Sequence, residues 1–222
     1  MHITGILADA YRFFSGNFRQ LTVLFLPIMT IVTLLGLVPE MAGNEEITTV
    51  FWQALIYFLL YPFYAGAMIL FLAKSTRHET TGYGQLLRES SALWWPLLML
   101  TLIVGIAVLF GFALLILPGI WIAIRLSFSE IYLVVEGLSP LAALRKSHEA
   151  TREVFWLILA IVVILNVPLI GLSILLDFLV DASGGGSVLK IITESIVAFL
   201  GLFVNVAVFR IYLLQKLEQA QE

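Results

Sequence analysis

Cysteine is absent from the 222 residues, which removes disulfide bonds, thiolate nucleophiles and cysteine metal ligands and leaves the redox compartment unreadable. Charge is nearly as scarce: charged residues make up 12% of the chain and the formal net charge is −3. No stretch gathers the five or more Lys/Arg residues of a phosphate-binding patch, so nucleic acid is not an expected partner. Histidine is limited to His2, His78 and His148, too scattered for an H-E-x-x-H helix or a clustered zinc site. GLSPL and GLSIL lack the second glycine of a nucleophile elbow, and SGGGSVLK lacks the Gly-Lys-Ser/Thr ending of a phosphate loop. No catalytic residue, metal ligand or cofactor is expected, and the chain reads as non-enzymatic.

What the chain has in abundance is apolar length. Hydrophobic residues reach 61% and the mean hydropathy is +1.03, far outside the range of soluble domains. A spanning helix needs ~20 apolar residues. Six segments qualify: Phe18 to Val38, Val50 to Ala73, Ala92 to Leu117, Gly119 to Val135, Val154 to Val180 and Val188 to Leu214. The expectation is an all-α polytopic membrane protein, one integral membrane domain over residues 1–222, with no room for a soluble catalytic domain. The first run follows Asp9, Arg12 and Arg19 without a small-residue cleavage site and reads as an uncleaved span. Leu117, Pro118 and Gly119 are expected to separate the third and fourth spans, because proline breaks the helical ladder and glycine permits a tight reversal. Gly184, Gly185 and Gly186 read as a flexible outer turn.

Orientation follows from the twelve Lys and Arg residues. Arg125 lies inside a span. Arg12, Arg19, Lys74, Arg77, Arg88, Arg145, Lys146, Arg152, Arg210 and Lys216 fall on the side shared by both termini, and Lys190 alone falls opposite. Basic residues are retained in the cytoplasm, so both termini are expected there. Trp52, Trp94, Trp95, Trp121 and Trp156 each begin a span, at the headgroup level that an amphipathic ring favours.

A short mixed segment precedes each pair of spans on the cytoplasmic side: Ile6 to Asn17, Tyr83 to Ser91 and Ser139 to Arg152. The unit of interfacial helix, span, span therefore recurs over residues 3–73, 82–135 and 139–214, as three hairpins about an approximate threefold axis along the membrane normal. In the third segment Ser139 is a candidate N-cap, Pro140 the first helical residue, and Arg145 and Glu149 an i,i+4 pair. Arg145, Lys146 and Arg152 are candidate contacts for anionic phospholipid headgroups. An ordinary connector that obeys the positive-inside rule is the simpler alternative.

Inside the spans, Arg125, Glu130, Asn166, Asn205 and Arg210 form a candidate polar network. Each ionisable group costs at least ~2.5 kcal/mol at a helix centre. Five positions place Arg125 and Glu130 ~140° apart around a helix, so each needs its own partner. Equal depth pairs Glu130 with Arg210, while Arg125 and Asn166 fall near the middle and Asn205 slightly nearer the cytoplasm. The network reads as interhelical glue at ~0.6 kcal/mol per hydrogen bond or as a substrate or ion path. Asp177 and Asp181 read as a solvated helix end.

The stretch LPGIWIAIRLSFSEIYLVVEGLSPLAALRKSHEATR, with FRIYLL near the end, resembles the YciC-like family of uncharacterised bacterial inner-membrane proteins. The likeness rests on Leu117-Pro118-Gly119, the span after it, the helix containing Ser147, and Phe209-Arg210 before Tyr212. The chain is also similar to the membrane region joined to some bacterial glycerophosphodiester phosphodiesterases, which implies a lipid setting without the enzyme activity. Arg125 and Glu130 depart from the family pattern, where an apolar residue and often proline is usual. The resemblance implies the bacterial inner membrane. Short loops and interfacial helices point to a protein that organises lipids or assists other membrane proteins; the alternative is a small transporter, since Pro27, Pro62 and Pro168 interrupt three spans. Its partners are then the bilayer, anionic headgroups or other membrane proteins.

Topology is directly testable. Reporters fused after Asn17, Glu79, Glu149 and the C-terminus are expected to report cytoplasm, and a periplasmic signal at any of them overturns the six-span arrangement.

Overall fold

A computed structural model describes residues 2–43, 46–77, 79 and 82–219, so His78 lies outside the described residues. Among them the fold is entirely helical: α1 (Ile3–Gly16), α2 (Phe18–Gly36), α3 (Val38–Met41), α4 (Glu46–Thr76), α5 (Tyr83–Ala92), α6 (Trp94–Leu114), α7 (Ile116–Arg125), α8 (Ser129–Glu136), α9 (Pro140–Ala182) and α10 (Ser187–Gln219). Six helical stretches are long and apolar enough to cross a membrane: α2, α4, α6, α7 with α8, α9 and α10. Helix is what such sequences must form in lipid, where each backbone N–H and C=O has to be satisfied within its own segment.

The reversal between α6 and α7 is tighter than expected and sits earlier. A single extended residue, Leu115 (φ −165°, ψ 160°), joins the two helices. Pro118 falls in the first turn of α7, where a missing N–H costs nothing. Gly119 serves packing rather than turning. A Cβ there would lie 2.5 Å from the Phe112 ring, and one on Gly111 would lie 2.8 Å from the Gly119 Cα. The two glycines let α6 and α7 touch through backbone.

The third short mixed segment is not a separate helix. Residues 139–152 run straight into the span as the beginning of the 43-residue α9, ~65 Å long and about twice the ~30 Å of hydrocarbon. Nothing in Glu149, Thr151, Arg152 or Glu153 breaks a helix, so the ladder continues. Ser139 occupies the N-cap position and Pro140 the first turn, as expected, but the Ser139 hydroxyl makes no cap bond. No ion pair joins Arg145 to Glu149 among the described residues.

Pro27, Pro62 and Pro168 all lie inside continuous helices, so they interrupt no span. The interruption falls instead in the fourth span, without proline, at residues 126–128 between α7 and α8. Two buried hydroxyls of α9 hold it. Ser147 Oγ donates to the Arg125 carbonyl at 3.0 Å and accepts from the Phe128 N–H at 3.1 Å. Thr151 Oγ1 also lies 3.0 Å from the Arg125 carbonyl.

The helices divide into two storeys. In α4 Ile47, Val50, Phe51, Leu55 and Leu59 are exposed, and Met68, Ile69, Phe71 and Leu72 beyond them are buried. In α10 Val188, Ile192 and Ile196 are exposed, whereas Phe199, Leu202, Phe209 and Tyr212 are buried. The chain from α7 to α8 follows the same pattern, with Leu117 and Trp121 exposed and Phe128, Ile131 and Leu133 buried. The main core therefore lies in the storey that holds α1, α5, α8, the start of α9 and the ends of α4 and α10, with the starts of α2 and α6 packed into it, and the other storey presents apolar side chains outward.

Ser147→Ala should lower stability in detergent by about 1–3 kcal/mol, the cost of stranding a buried backbone donor and weakening its carbonyl's pairing. An unchanged thermal unfolding midpoint would show that packing alone holds the break.

Candidate functional site

The intramembrane residues do not gather into one layer. Asn166 donates to the Val162 carbonyl of its own helix at 2.9 Å and lies four turns along α9 from Thr151, which is level with Arg125. Arg125 and Asn166 are thus at different depths, because α9 begins far outside the span that the hydropathy suggests.

Arg210 does not pair with Glu130. Its guanidinium binds Asp9 of α1, with Nη2 at 2.8 Å and Nε at 3.1 Å from Oδ2, and Arg12 bonds the other carboxylate oxygen at 2.6 Å. Equal depth brings two residues to one level but leaves their direction around the helix open. Asn205 and Arg210 are five positions apart, ~140° around α10. Asn205 lines the cavity that holds Glu130, so Arg210 faces α1. The hydrogen bond from Arg210 holds the Asp9 carboxyl below its ordinary value of 3.8, against the opposing effect of burial.

Glu130 takes its hydrogen bond from the Tyr61 hydroxyl at 3.0 Å. The two line a cavity of about 240 Å³ with Ser127, Ser129 and Asn205 as further polar groups and Met68, Leu72 and Phe209 among its apolar walls. No Lys or Arg pairs with Glu130 among the described residues. Chemically the cavity is a small, weakly polar chamber with one carboxylate.

On another face of the same span, Arg125 opens into a groove of about 830 Å³ between α7 and α9, lined also by Trp121, Arg152, Phe155 and Trp156. The remaining headgroup candidates diverge: Arg145 is exposed, and Lys146 is tied to Glu136. Asp181 is exposed, whereas Asp177 shares an opening of about 340 Å³ with Glu194, Gln53 and Tyr57. No group of three or more metal-binding side chains occurs among the described residues.

Glu136 is the polar residue that the sequence hides. It ends α8, where Gly137 turns the chain with φ +66°, and it binds Lys146 of α9, Lys216 of α10 at 2.5 Å and the Tyr212 hydroxyl at 3.2 Å. The hydroxyl-bearing ring stacks edge-on to Tyr132 at 5.3 Å. The Glu136-Gly137 step was its only local signal. A similar bond ties α5 to α4 through Lys74 and Glu89 at 2.6 Å, and it holds the Glu89 carboxyl below its ordinary value.

Six apolar helices around such a polar storey define a multi-pass membrane protein. The chain matches no family model, no curated protein and no solved structure.

A double-mutant cycle tests the revised pairing. Asp9→Leu and Arg210→Leu should be non-additive by roughly 0.2–1 kcal/mol, as befits a partly exposed pair, while Glu130→Leu and Arg210→Leu should add. Because the Asp9 value is lowered on folding, its contribution is complete above 3.8 and fades as pH falls through the lowered value. The Arg210→Leu penalty, measured by thermal unfolding, should therefore shrink in acid; a penalty independent of pH would reject the ion pair.

Proposed function

We propose that this chain is a non-enzymatic multi-pass protein of a bacterial inner membrane, of the YciC-like type, that organises lipids or assists other membrane proteins. The observation that carries the reading is the division into two storeys: apolar side chains of α4, α6, α9 and α10 face outward in one, and a packed, charge-laced assembly forms the other. Five of the six ion pairs among the described residues belong to the second storey, and Glu40–Lys190 alone lies at the far end. That bias supports cytoplasmic N- and C-termini under the positive-inside rule. In this arrangement α1 and α5 are interfacial helices preceding two of three hairpins, and the start of α9 stands in for the third. Function is then exerted at the cytoplasmic leaflet, where apolar storey and charged storey meet.

A second reading, a small transporter, draws on one specific feature, the Glu130 carboxylate in its cavity with Tyr61 and Asn205. Ionisable groups without a charged partner inside a bundle mark ion or substrate sites.

The two readings separate experimentally. After mild extraction, the lipids retained by the protein should be enriched in anionic phospholipid relative to the total membrane extract, and Glu130→Gln should leave that enrichment intact. Retained lipid identical to the bulk overturns the first reading. Solute flux into proteoliposomes that Glu130→Gln abolishes would establish the second.

A further inference from the structure

In the packed storey Arg12, Lys74, Lys146, Arg210 and Lys216 each meet a carboxylate. Arg19, Arg77, Arg88, Arg145 and Arg152 meet none among the described residues but are exposed, whereas Arg125 meets none and is buried. Arg125 is only 7% exposed, its Nε has no hydrogen-bond partner, and no carboxylate pairs with it or with Arg152 among the described residues. Both residues line the same groove, close enough for the charge of Arg152 to oppose that of Arg125. A buried donor without an acceptor, next to a like charge, is costly unless an anion supplies what is missing.

The rest of the groove specifies which anion. The Trp121 ring lies 5.6 Å from the Arg125 guanidinium carbon, and Trp121 and Trp156 are 48% and 77% exposed, as rings at the headgroup level are. Leading away from the arginines, the walls become wholly apolar and end at Leu117 on α7 and Leu159 on α9. Seven positions of α9 separate Arg152 from Leu159, ~10 Å of apolar wall. The guanidinium fork matches phosphate oxygens in pairs, and a free phosphate would leave that wall unused.

We propose that the groove between α7 and α9 binds one anionic glycerophospholipid, with its phosphate on Arg125 and Arg152 and an acyl chain lying towards Leu117 and Leu159. This rests on the lipid-directed reading above and names its site and ligand. The break in the fourth span makes the site possible, since it ends α7 at Arg125 while Ser147 and Thr151 occupy that residue's carbonyl.

The experiment is native mass spectrometry of the full chain in micelles doped with phosphatidylglycerol or with phosphatidylcholine of the same acyl chains. The wild type should retain one phosphatidylglycerol in preference to phosphatidylcholine. Arg125→Gln with Arg152→Gln should weaken retention about tenfold or more, as loss of charge-assisted bonds implies, and Arg88→Gln, an exposed cation of α5 away from the groove, should not. Arg152→Gln alone changes an exposed side chain, so it keeps the test open where the buried substitution prevents folding; it should weaken retention several-fold. Excess inorganic phosphate should not displace the lipid, and displacement would show a phosphate site without a lipid one. If the wild type prefers phosphatidylglycerol and the groove variants keep it, this site is overturned while the lipid-directed reading stands. If the wild type shows no preference, both fall.

Discussion

Every peptide group in a membrane-crossing segment needs a partner; across residues 126–128 the Leu126 and Ser127 N–H groups still reach the Ile122 and Ile124 carbonyls, while the Phe128 N–H turns to Ser147. The break persists because Ser147 acts in both directions at once, donating to the Arg125 carbonyl and accepting from the Phe128 N–H. Much of the packed storey depends on this exchange. Just past it, Phe128 meets Tyr132 and Tyr212 in an aromatic cluster with centroids 5.3–6.5 Å apart. Further along α8, Glu130 reaches Tyr61 on α4 and Glu136 reaches α9 and α10.

The ion pairs of this storey decorate a core that apolar burial supplies. Partly exposed pairs contribute little, ~0–1 kcal/mol each, whereas full burial of a large apolar side chain is worth ~1.5–3 kcal/mol. Tyr212, Phe25, Phe128, Leu97 and Leu133 are all buried almost completely. The charges act on arrangement more than on stability: Asp9 fixes which way α1 lies on α10, and Glu89 fixes α5 on α4. In the other storey lipid is as apolar as leucine, so helices gain little by burying leucine against one another. Close contact appears there at Gly111 and Gly119, where small residues let backbones meet.

Hydropathy made the six long helices and their approximate places legible, because transfer into lipid depends on composition and length alone. It could not show direction around a helix axis. The expected pairing of Glu130 with Arg210 failed on direction: Glu130 turns to Tyr61 and Arg210 to Asp9 of α1. Hydropathy also misjudged the start of α9: a polar segment entering a span looks like a separate element, yet Arg145, Lys146 and Glu149 are good helix formers and nothing stops the ladder. The Leu117-Pro118-Gly119 turn failed for a related reason. Proline tolerates a first helical turn as well as a loop, and one extended leucine left no compositional trace. Ser147 could have been noticed as a small hydroxyl residue on an otherwise charged helix, but its two partners, nineteen and more positions away, have no sequence signal.

The break also accounts for two charges that one regular helix would have carried at poor cost. Arg125 and Glu130 are too far apart around a helix to neutralise each other, so each depends on its own surroundings. Separate helices give them separate surroundings. Arg125 ends α7, where the partial negative charge of a helix C-terminus favours a cation, and faces a groove with aromatic walls open to the side of the bundle. Glu130 falls in the first turn of α8, where the opposite end of a helix dipole favours a carboxylate, and faces inward to Tyr61. One interruption thus places each charge at the helix end that suits its sign, with Ser147 satisfying the backbone between them.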